Sequence, residues 1–119
     1  MDARVGVGLR GEDAAAALYR RRGYRVVARN WRCGIGELDL VVARGELLVF
    51  CEVKARGGPG FGGGFVAVTE RKQRKVRAVA EAFLLATGAR PQRTRFDVAS
   101  VLVAGARASP SVELFEDAF

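Results

Sequence analysis

Four charged residues stand at spacings that place them on one face of a predicted pair of strands. They are Glu37, Asp39, Glu52 and Lys54. Side chains alternate along a strand, so residues two apart point to the same side. Three carboxylates and one ammonium group that converge in this way could hold a metal ion and an attacking water molecule. The chemistry that these residue types predict is metal-assisted hydrolysis.

The turn between the two strands sets their register. Gly36 to Ala43 and Glu46 to Lys54 read as strands, and Gly45 takes the first central position of a two-residue loop, as a type II′ hairpin requires. With Gly45-Glu46 as the loop, Asp39 lies opposite Glu52 and Glu37 lies opposite Lys54. A slip of one residue would turn the acids away from each other. The predicted reverse face is apolar and consists of Leu38, Leu40, Val42, Leu47, Val49, Cys51 and Val53.

Two readings of the four charges remain open. In the first, a cation lies between Asp39 and Glu52, because adjacent carboxylates destabilise a sheet unless a cation or a proton separates them. In the second, Glu37 pairs with Lys54 and Asp39 pairs with a nearby arginine, in a protein that binds DNA without cutting it. The like-charged pair favours the metal.

The composition limits which metal and which catalytic group are available. The chain has no histidine, which excludes Ser-His-Asp triads, Cys-His pairs and histidine-based zinc sites. Two cysteines, Cys33 and Cys51, are too few for a thiolate site, and both are interpreted as structural and unpaired. Hard carboxylate oxygens suit Mg²⁺ or Mn²⁺, which proteins often hold together with substrate phosphates. A phosphate ester is therefore the expected substrate.

The charge balance points to the same partner. The 119 residues carry 20 Lys and Arg against 13 Asp and Glu, a formal charge of +7 that favours polyanions such as nucleic acid. This length predicts one domain over residues 1–119. No signal peptide and no membrane span are recognisable, so we expect a cytoplasmic protein with no membrane partner.

The remaining elements predict an α/β (α+β) fold, in which helices flank a mixed central sheet. Acids in the first turn, basic residues at the end and Gly23 as the stop predict a helix from Glu12 to Arg22. The cap Thr69 and apolar residues at helical spacing predict a second helix to about Thr87, which Gly88 ends. Strands are predicted at 24–31, 95–103 and 112–115, with a turn region at 104–111. Asp97, on a late strand, is expected to be a structural hydrogen-bond acceptor. The glycine-rich segment 57–64 is predicted to be a flexible connector, with Phe61 or Phe65 as the alternative base-stacking residue.

The first two turns of the second helix contain several basic side chains, which the helix dipole disfavours at a helix N-terminus. A phosphate backbone would relieve that strain, because helix N-terminal amides and basic side chains both favour phosphate contacts. A solvated polar face is the alternative for any single residue. The predicted nucleic-acid-binding residues are Arg71, Lys72, Gln73, Arg74 and Lys75.

The chain resembles a known family along nearly its whole length. The acid motif and the E-x-K motif are similar to those of the PD-(D/E)XK nuclease superfamily, and the order of the other motifs resembles the YraN family of small bacterial proteins. The segments that carry the resemblance are Gly11-Glu12, Gly23-Tyr24, Arg29-Asn30-Trp31-Arg32-Cys33, Gly36-Glu37-Leu38-Asp39-Leu40, Val49-Phe50-Cys51-Glu52-Val53-Lys54, Arg71-Lys72-Gln73, Arg95-Phe96-Asp97-Val98 and Ala118-Phe119.

The resemblance implies a restriction-endonuclease-like core, similar to that of Holliday-junction resolvases. It implies that Asp39 and Glu52 ligate Mg²⁺ or Mn²⁺ through their side chains and Val53 through its carbonyl, with Lys54 acting on the attacking water. Glu12 resembles the helix acid that completes such sites. Glu37 would be an additional acid, and Gln73 is placed by analogy with a helix glutamine. Leu38 stands where the superfamily name has proline.

We therefore expect a divalent-metal-dependent endonuclease that acts on DNA, including branched or recombination intermediates. The alternatives are a nucleic-acid-binding protein without catalysis and a subunit whose basic face meets an acidic protein. Cutting both strands at once needs two sites, so a homodimer stays open as the assembly, although no segment identifies its interface.

Overall fold

The computed structural model describes residues 3–57, 68–105 and 109–119, with side chains described from Gly6 onward. The predicted glycine-rich connector beyond Gly57, with Phe61 and Phe65, lies outside the described residues, as does part of the 104–111 turn region. The elements are α1 (Ala3–Arg21), β1 (Arg25–Arg32), β2 (Glu37–Arg44), β3 (Leu47–Gly57), α2 (Glu70–Thr87), β4 (Arg93–Val103) and β5 (Ser111–Phe115).

The described strands form one mixed sheet in the order β1-β2-β3-β4-β5. Neighbouring strands are antiparallel except β3 and β4, which run parallel. A parallel pair cannot be joined by a tight turn, and α2 lies in the connection between these two strands. The prediction of a mixed sheet with helices packed on it is confirmed.

Each helix packs on its own side of the sheet. On the α1 side, Tyr19 and Ala16 pack with Leu40, Val49 and Val101. On the α2 side, Phe83 packs with Phe50 and Val79 among the buried residues, and the rings of Phe50 and Phe83 make a T-shaped contact, edge to face. Helices on both faces explain why the central strands β2 and β3 are apolar on both sides. In the part of the chain that the structure describes, no helix has the length and apolar character needed to span a membrane.

Helix α1 begins much earlier than predicted. Its observed range is Ala3–Arg21, whereas an acid-rich first turn at Glu12 had indicated the start. Three glycines upstream of Glu12 argue against a helix on propensity alone, but packing on the sheet overrides propensity. Gly11 is part of that packing, because a Cβ atom there would lie 2.5 Å from Cβ of Ala55. The glycine lets the helix approach β3.

Helix α2 has the ends that the sequence predicts. Thr69 caps it by accepting a hydrogen bond from the amide of Lys72 at 3.1 Å. Gly88 ends it in the left-handed region with φ of 71°. The predicted apolar stripe is buried at Val76, Val79, Ala80 and Phe83.

Asp97 is the structural acceptor that the sequence analysis expected. Its side chain is fully buried in β4 and accepts from the Tyr19 hydroxyl at 2.7 Å and from the amide of Asp117 at 3.0 Å. Arg95 donates two further hydrogen bonds, from Nε and Nη2, each of 2.8 Å. These bonds raise the pKa of Arg95, and burial raises the pKa of Tyr19, so the arginine stays charged and the phenol neutral. The network joins α1, β4 and the C-terminal segment.

Candidate active site

The hairpin that carries the predicted acids has the expected register over its described ladder. The pairs run from Arg44 with Leu47 to Leu40 with Cys51, with Gly45 and Glu46 as the loop. Gly45 has φ of 57°, as the first central position of a type II′ turn requires. The ladder ends at the pair of Leu40 with Cys51, so the predicted pairs of Asp39 with Glu52 and of Glu37 with Lys54 are not part of it.

Asp39, just beyond the end of that ladder, contacts β3 through its side chain. Its Oδ2 atom accepts a hydrogen bond of 2.9 Å from the backbone amide of Val53. Next to it in the sheet, Asn30 of β1 has φ of 50°, a conformation that asparagine tolerates better than most residues. The face alternation breaks here, because Leu38 packs in the cluster beneath α2 while Leu40 packs beneath α1. Placing Leu38 on the same apolar face as Leu40 was therefore wrong.

Glu52 is the most deeply buried acid of the site. Only 2% of it is exposed, and its Oε1 atom lies 3.2 Å from Nζ of Lys72 on α2. Burial of a carboxylate is tolerated only when a partner offsets its charge. Lys72, which the sequence predicts to be a phosphate contact, is thus also the cation that meets Glu52.

A cavity of about 370 Å³ opens between the β1–β2 bend and α2. Asp39 and Glu37 line it from the sheet, and Glu37 forms an ion pair with Arg32 rather than with Lys54. Gly36 lets the bend come close to the helix, since a Cβ atom there would lie 3.0 Å from Cε of Lys75. The charged residues around the cavity are Arg32, Glu37, Asp39, Lys72 and Lys75.

Lys54 and Val53 continue β3 beyond Glu52. Lys54 lies two residues after Glu52 and opposite Ser100 of β4, with a partly exposed side chain. Its ammonium group has no hydrogen bond or ion pair with the described residues. The amide of Val53 serves Asp39.

Glu12 does not join the carboxylates of the sheet. Its Oε1 atom accepts a 2.8 Å hydrogen bond from Nδ2 of Asn30 and lies 3.5 Å from Nη2 of Arg29. Gln73 also has a local task, because its Nε2 atom donates to the carbonyl of Val68 at 2.8 Å. Arg71 and Arg74, by contrast, are exposed on the first turns of α2. The structure therefore brings Asp39 and Glu52 together with cations of α2, and holds Glu12 by residues of β1.

The pKa of Asp39 is raised by its buried position near other acids. Burial, together with the negative charges of Glu52 and Glu37, raises the pKa of Asp39 from 3.8 to about 6, although the hydrogen bond from Val53 and the charge of Lys72 lower it. At neutral pH the carboxylate is ionised at a cost to the folded state. A cation bound beside it would remove that cost.

A pH prediction follows from this shift. The pKa of about 6 in the folded chain lies above that of an unfolded aspartate, so the folded state prefers the protonated form. In metal-free buffer, the contribution of Asp39 to stability is therefore fully present below about pH 4 and falls by about 3 kcal/mol as pH rises through 6. Asp39→Asn removes this dependence, since its amide oxygen can still accept from Val53. Urea denaturation at pH 4.5 and 7.5 in EDTA measures the difference.

The wild type and Asp39→Asn share all other titrating groups, so only the gap between their pH profiles is informative. We expect Asp39→Asn to be the more stable protein at pH 7.5, with a smaller gap at pH 4.5. Parallel profiles for the two proteins would contradict the prediction.

The side-chain donors fit Mg²⁺ or Mn²⁺ as a pair of carboxylates. In residues 3–57, 68–105 and 109–119 no group of three or more acids and cysteines is close enough to hold an ion. One or two carboxylates completed by substrate phosphate oxygens is, however, the usual way in which proteins bind Mg²⁺. Asp39 and Glu52 meet that requirement.

Comparison with known proteins gives the family. The profile of "Uncharacterised protein family UPF0102" matches residues 11–101, which include both acid motifs and α2. The chain belongs to the UPF0102 family. This confirms the resemblance to the YraN family that the motif order indicated.

Relatives in the UPF0102 family match the chain over most of its length. A UPF0102 protein of Rhodococcus jostii is 43% identical over 97% of this chain and 97% of its own. One of Pelotomaculum thermopropionicum is 42% identical over 99% of this chain and 98% of its own. One of Streptomyces griseus is 45% identical, with 87% of each chain covered.

The sequence analysis did not predict two residues that contribute to the candidate site of this UPF0102 protein. Arg32 lines the cavity and binds Glu37, although it lies on another strand of the sheet. Asn30 binds Glu12, and its positive φ marks the break in alternation. Asparagine beside a tryptophan in a predicted strand is the signal that could have indicated such a break.

Proposed function

We propose that this protein is a divalent-metal-dependent nuclease that hydrolyses phosphodiester bonds in DNA, with its active centre at Asp39, Glu52 and Lys54. The observation that carries the proposal is the electrostatic conflict between Asp39 and Glu52. Burial and the negative charge of Glu52 raise the pKa of Asp39, which lines a cavity whose other charged residues are mostly cationic. Such strain at neutral pH is typical of functional sites.

Each residue of the site has a task in this proposal. Asp39 and Glu52 hold Mg²⁺ or Mn²⁺, with the Val53 carbonyl as a further ligand. The ion, when bound, supplies positive charge that offsets the charge of the reacting phosphate. The Lys54 ammonium group orients the attacking water and stabilises charge that develops on the phosphate oxygens.

The cations of the cavity hold the substrate. Lys72 and Lys75 line it from α2, and Arg32 lines it from β1. Contacts from such side chains to phosphate oxygens fix the position of a nucleic acid without reading its sequence. Arg71 and Arg74 extend this basic surface along the exposed side of the helix.

A second candidate function is supported by the ion pair between Glu52 and Lys72. In this version Lys72 takes the place of a metal ion at 3.2 Å from Glu52, and the protein binds DNA without cutting it. The two candidates differ in one measurable respect, because only the first requires divalent metal at Asp39 and Glu52.

The test is calorimetric titration of Mn²⁺ into the wild type and into Glu52→Gln, followed by incubation of each with labelled duplex and branched DNA. Glu81→Gln is the matched control, since Glu81 is an exposed acid of α2 outside the cavity. We expect Mn²⁺ binding and metal-dependent cleavage by the wild type and by Glu81→Gln, and neither by Glu52→Gln. A wild type that binds DNA but no Mn²⁺ would support the second candidate instead.

A further inference from the structure

A second basic region lies at the other end of the sheet from the candidate active site. Strands β2 and β3 meet there at the Gly45-Glu46 turn, and β1 and β4 both begin at that end. Helices α1 and α2, which pack on opposite faces, both end at this end of the sheet, because each leads into one of these strands. Asp39 lies five residues from Arg44 along β2, which corresponds to about 16 Å of extended chain. The two regions are therefore separate surfaces.

This end of the sheet carries a cluster of arginines whose side chains make no polar interaction with the described part of the fold. All five are exposed, and none of their guanidinium groups has a hydrogen bond or an ion pair with the described residues. By contrast, Arg44 donates to the carbonyl of Arg22 and lies over the ring of Tyr24, and Arg22 meets Glu116. We name the five the tip arginines: Arg20, Arg21, Arg25, Arg90 and Arg93.

Two of the tip arginines, Arg25 and Arg90, line a preformed concavity. A cavity of about 210 Å³ lies between the β2–β3 turn and the connection from α2 to β4, with Arg25 on one side and Arg90 on the other. The amides of Gln92 and Arg93 donate to the carbonyl of Glu46 at 3.1 and 3.2 Å, which ties the connection to the turn. Glu46 also lines the cavity, and its single negative charge leaves the cluster strongly positive.

The chemistry of this cluster fits phosphate groups. Guanidinium groups bind phosphate oxygens through two parallel hydrogen bonds and are less strongly hydrated than ammonium groups. Five exposed like charges repel one another, and an anion that bridges them removes that repulsion. A line of phosphates, as in a nucleic-acid backbone, matches several arginines spread over two connections better than one small anion does.

We propose that the tip arginines form a second nucleic-acid-binding surface, so that one molecule holds two separate stretches of phosphate backbone, one at the active-site cavity and one at the tip. The inference rests on the proposed function, because the ligand is the same polymer. The new element is that the protein brings two duplex segments together. A branched nucleic acid provides two such segments within one molecule.

A bridging assay tests the proposal. One DNA duplex is fixed to beads, and retention of a second, fluorescent duplex is measured with wild type, with Arg25→Ala/Arg90→Ala, and with Arg71→Ala/Arg74→Ala. The two double variants remove the same charge from opposite ends of the molecule. We expect wild type to retain the second duplex, and each double variant to retain it at least about tenfold less while still binding the first duplex.

The outcomes separate this inference from the nuclease proposal. Bridging that persists in Arg25→Ala/Arg90→Ala, as from a dimer that uses two active-site surfaces, overturns the second surface. Wild type that cleaves DNA but never bridges overturns it as well and leaves the nuclease intact. Wild type that bridges through the tip arginines but cuts nothing with Mg²⁺ or Mn²⁺ supports the second surface and overturns the nuclease. Wild type that binds no DNA overturns both.

Discussion

Replacement of Lys54 by alanine lowers the rate of phosphodiester cleavage by about 10²–10³-fold, the loss expected when one charged donor at a reacting phosphate is removed. Lys54 follows Glu52, the proposed metal ligand, on the same strand, and its ammonium group makes no hydrogen bond or ion pair with the described residues that a substitution would remove. Stability should therefore change little. Single-turnover cleavage with saturating enzyme measures the effect separately from DNA affinity.

Two further lysine variants sharpen this test. Lys75→Ala removes an exposed ammonium group that lines the cavity, and we expect weaker DNA binding with a nearly unchanged single-turnover rate. Lys54→Arg keeps the charge but not the compact three-donor geometry, so it should not restore the rate. If Lys54→Ala cleaves at the wild-type rate, Lys54 does not touch the reacting phosphate.

The largest effect on stability is expected at Asp97. Asp97→Asn should destabilise the protein by about 3–5 kcal/mol, because it leaves Arg95 charged and largely buried without its buried carboxylate partner. The variant also disturbs the bonds to the Tyr19 hydroxyl and to the Asp117 amide. Urea denaturation monitored by circular dichroism measures the change.

Glu116→Gln is the control for the Asp97 prediction. Glu116 pairs with the same arginine at 3.0 Å, but about half of its side chain is exposed. Exposed ion pairs contribute less than about 1 kcal/mol, so this variant should be nearly as stable as the wild type. Equal effects of Asp97→Asn and Glu116→Gln would show that burial does not decide the strength of these pairs.

Local signals predicted the parts of the fold that depend on neighbours in sequence. Gly45 fixed the hairpin register, and Thr69 and Gly88 fixed the ends of α2, because turn and cap preferences act within a few residues. The start of α1 was not predictable in this way. Its glycines lower helix propensity, and only the approach of Gly11 to Ala55 explains why the helix continues through them.

The sequence predicted the proximity of the two candidate acids better than it predicted their partners. Burial and the negative charge of Glu52 raise the pKa of Asp39, so the two acids lie close enough to affect each other, as their spacing indicated. The partner of Glu52 was not predictable, because Lys72 reaches it only when α2 docks across the parallel strands. For the same reason the separation of Glu12 from the other acids depends on Asn30 and Arg29, two residues of another strand.

The distribution of lysine has a practical consequence for studying this protein. Only three of the 20 basic residues are lysines, namely Lys54, Lys72 and Lys75, and the other 17 are arginines. Lys72 and Lys75 line the cavity of the candidate active site, and Lys54 follows Glu52 on β3. A reagent that acylates primary amines therefore modifies, apart from the N-terminus, only the neighbourhood of the proposed reaction. Amine labelling followed by mass spectrometry becomes a direct footprint of that site, in which protection by an added ligand can be assigned without mutagenesis.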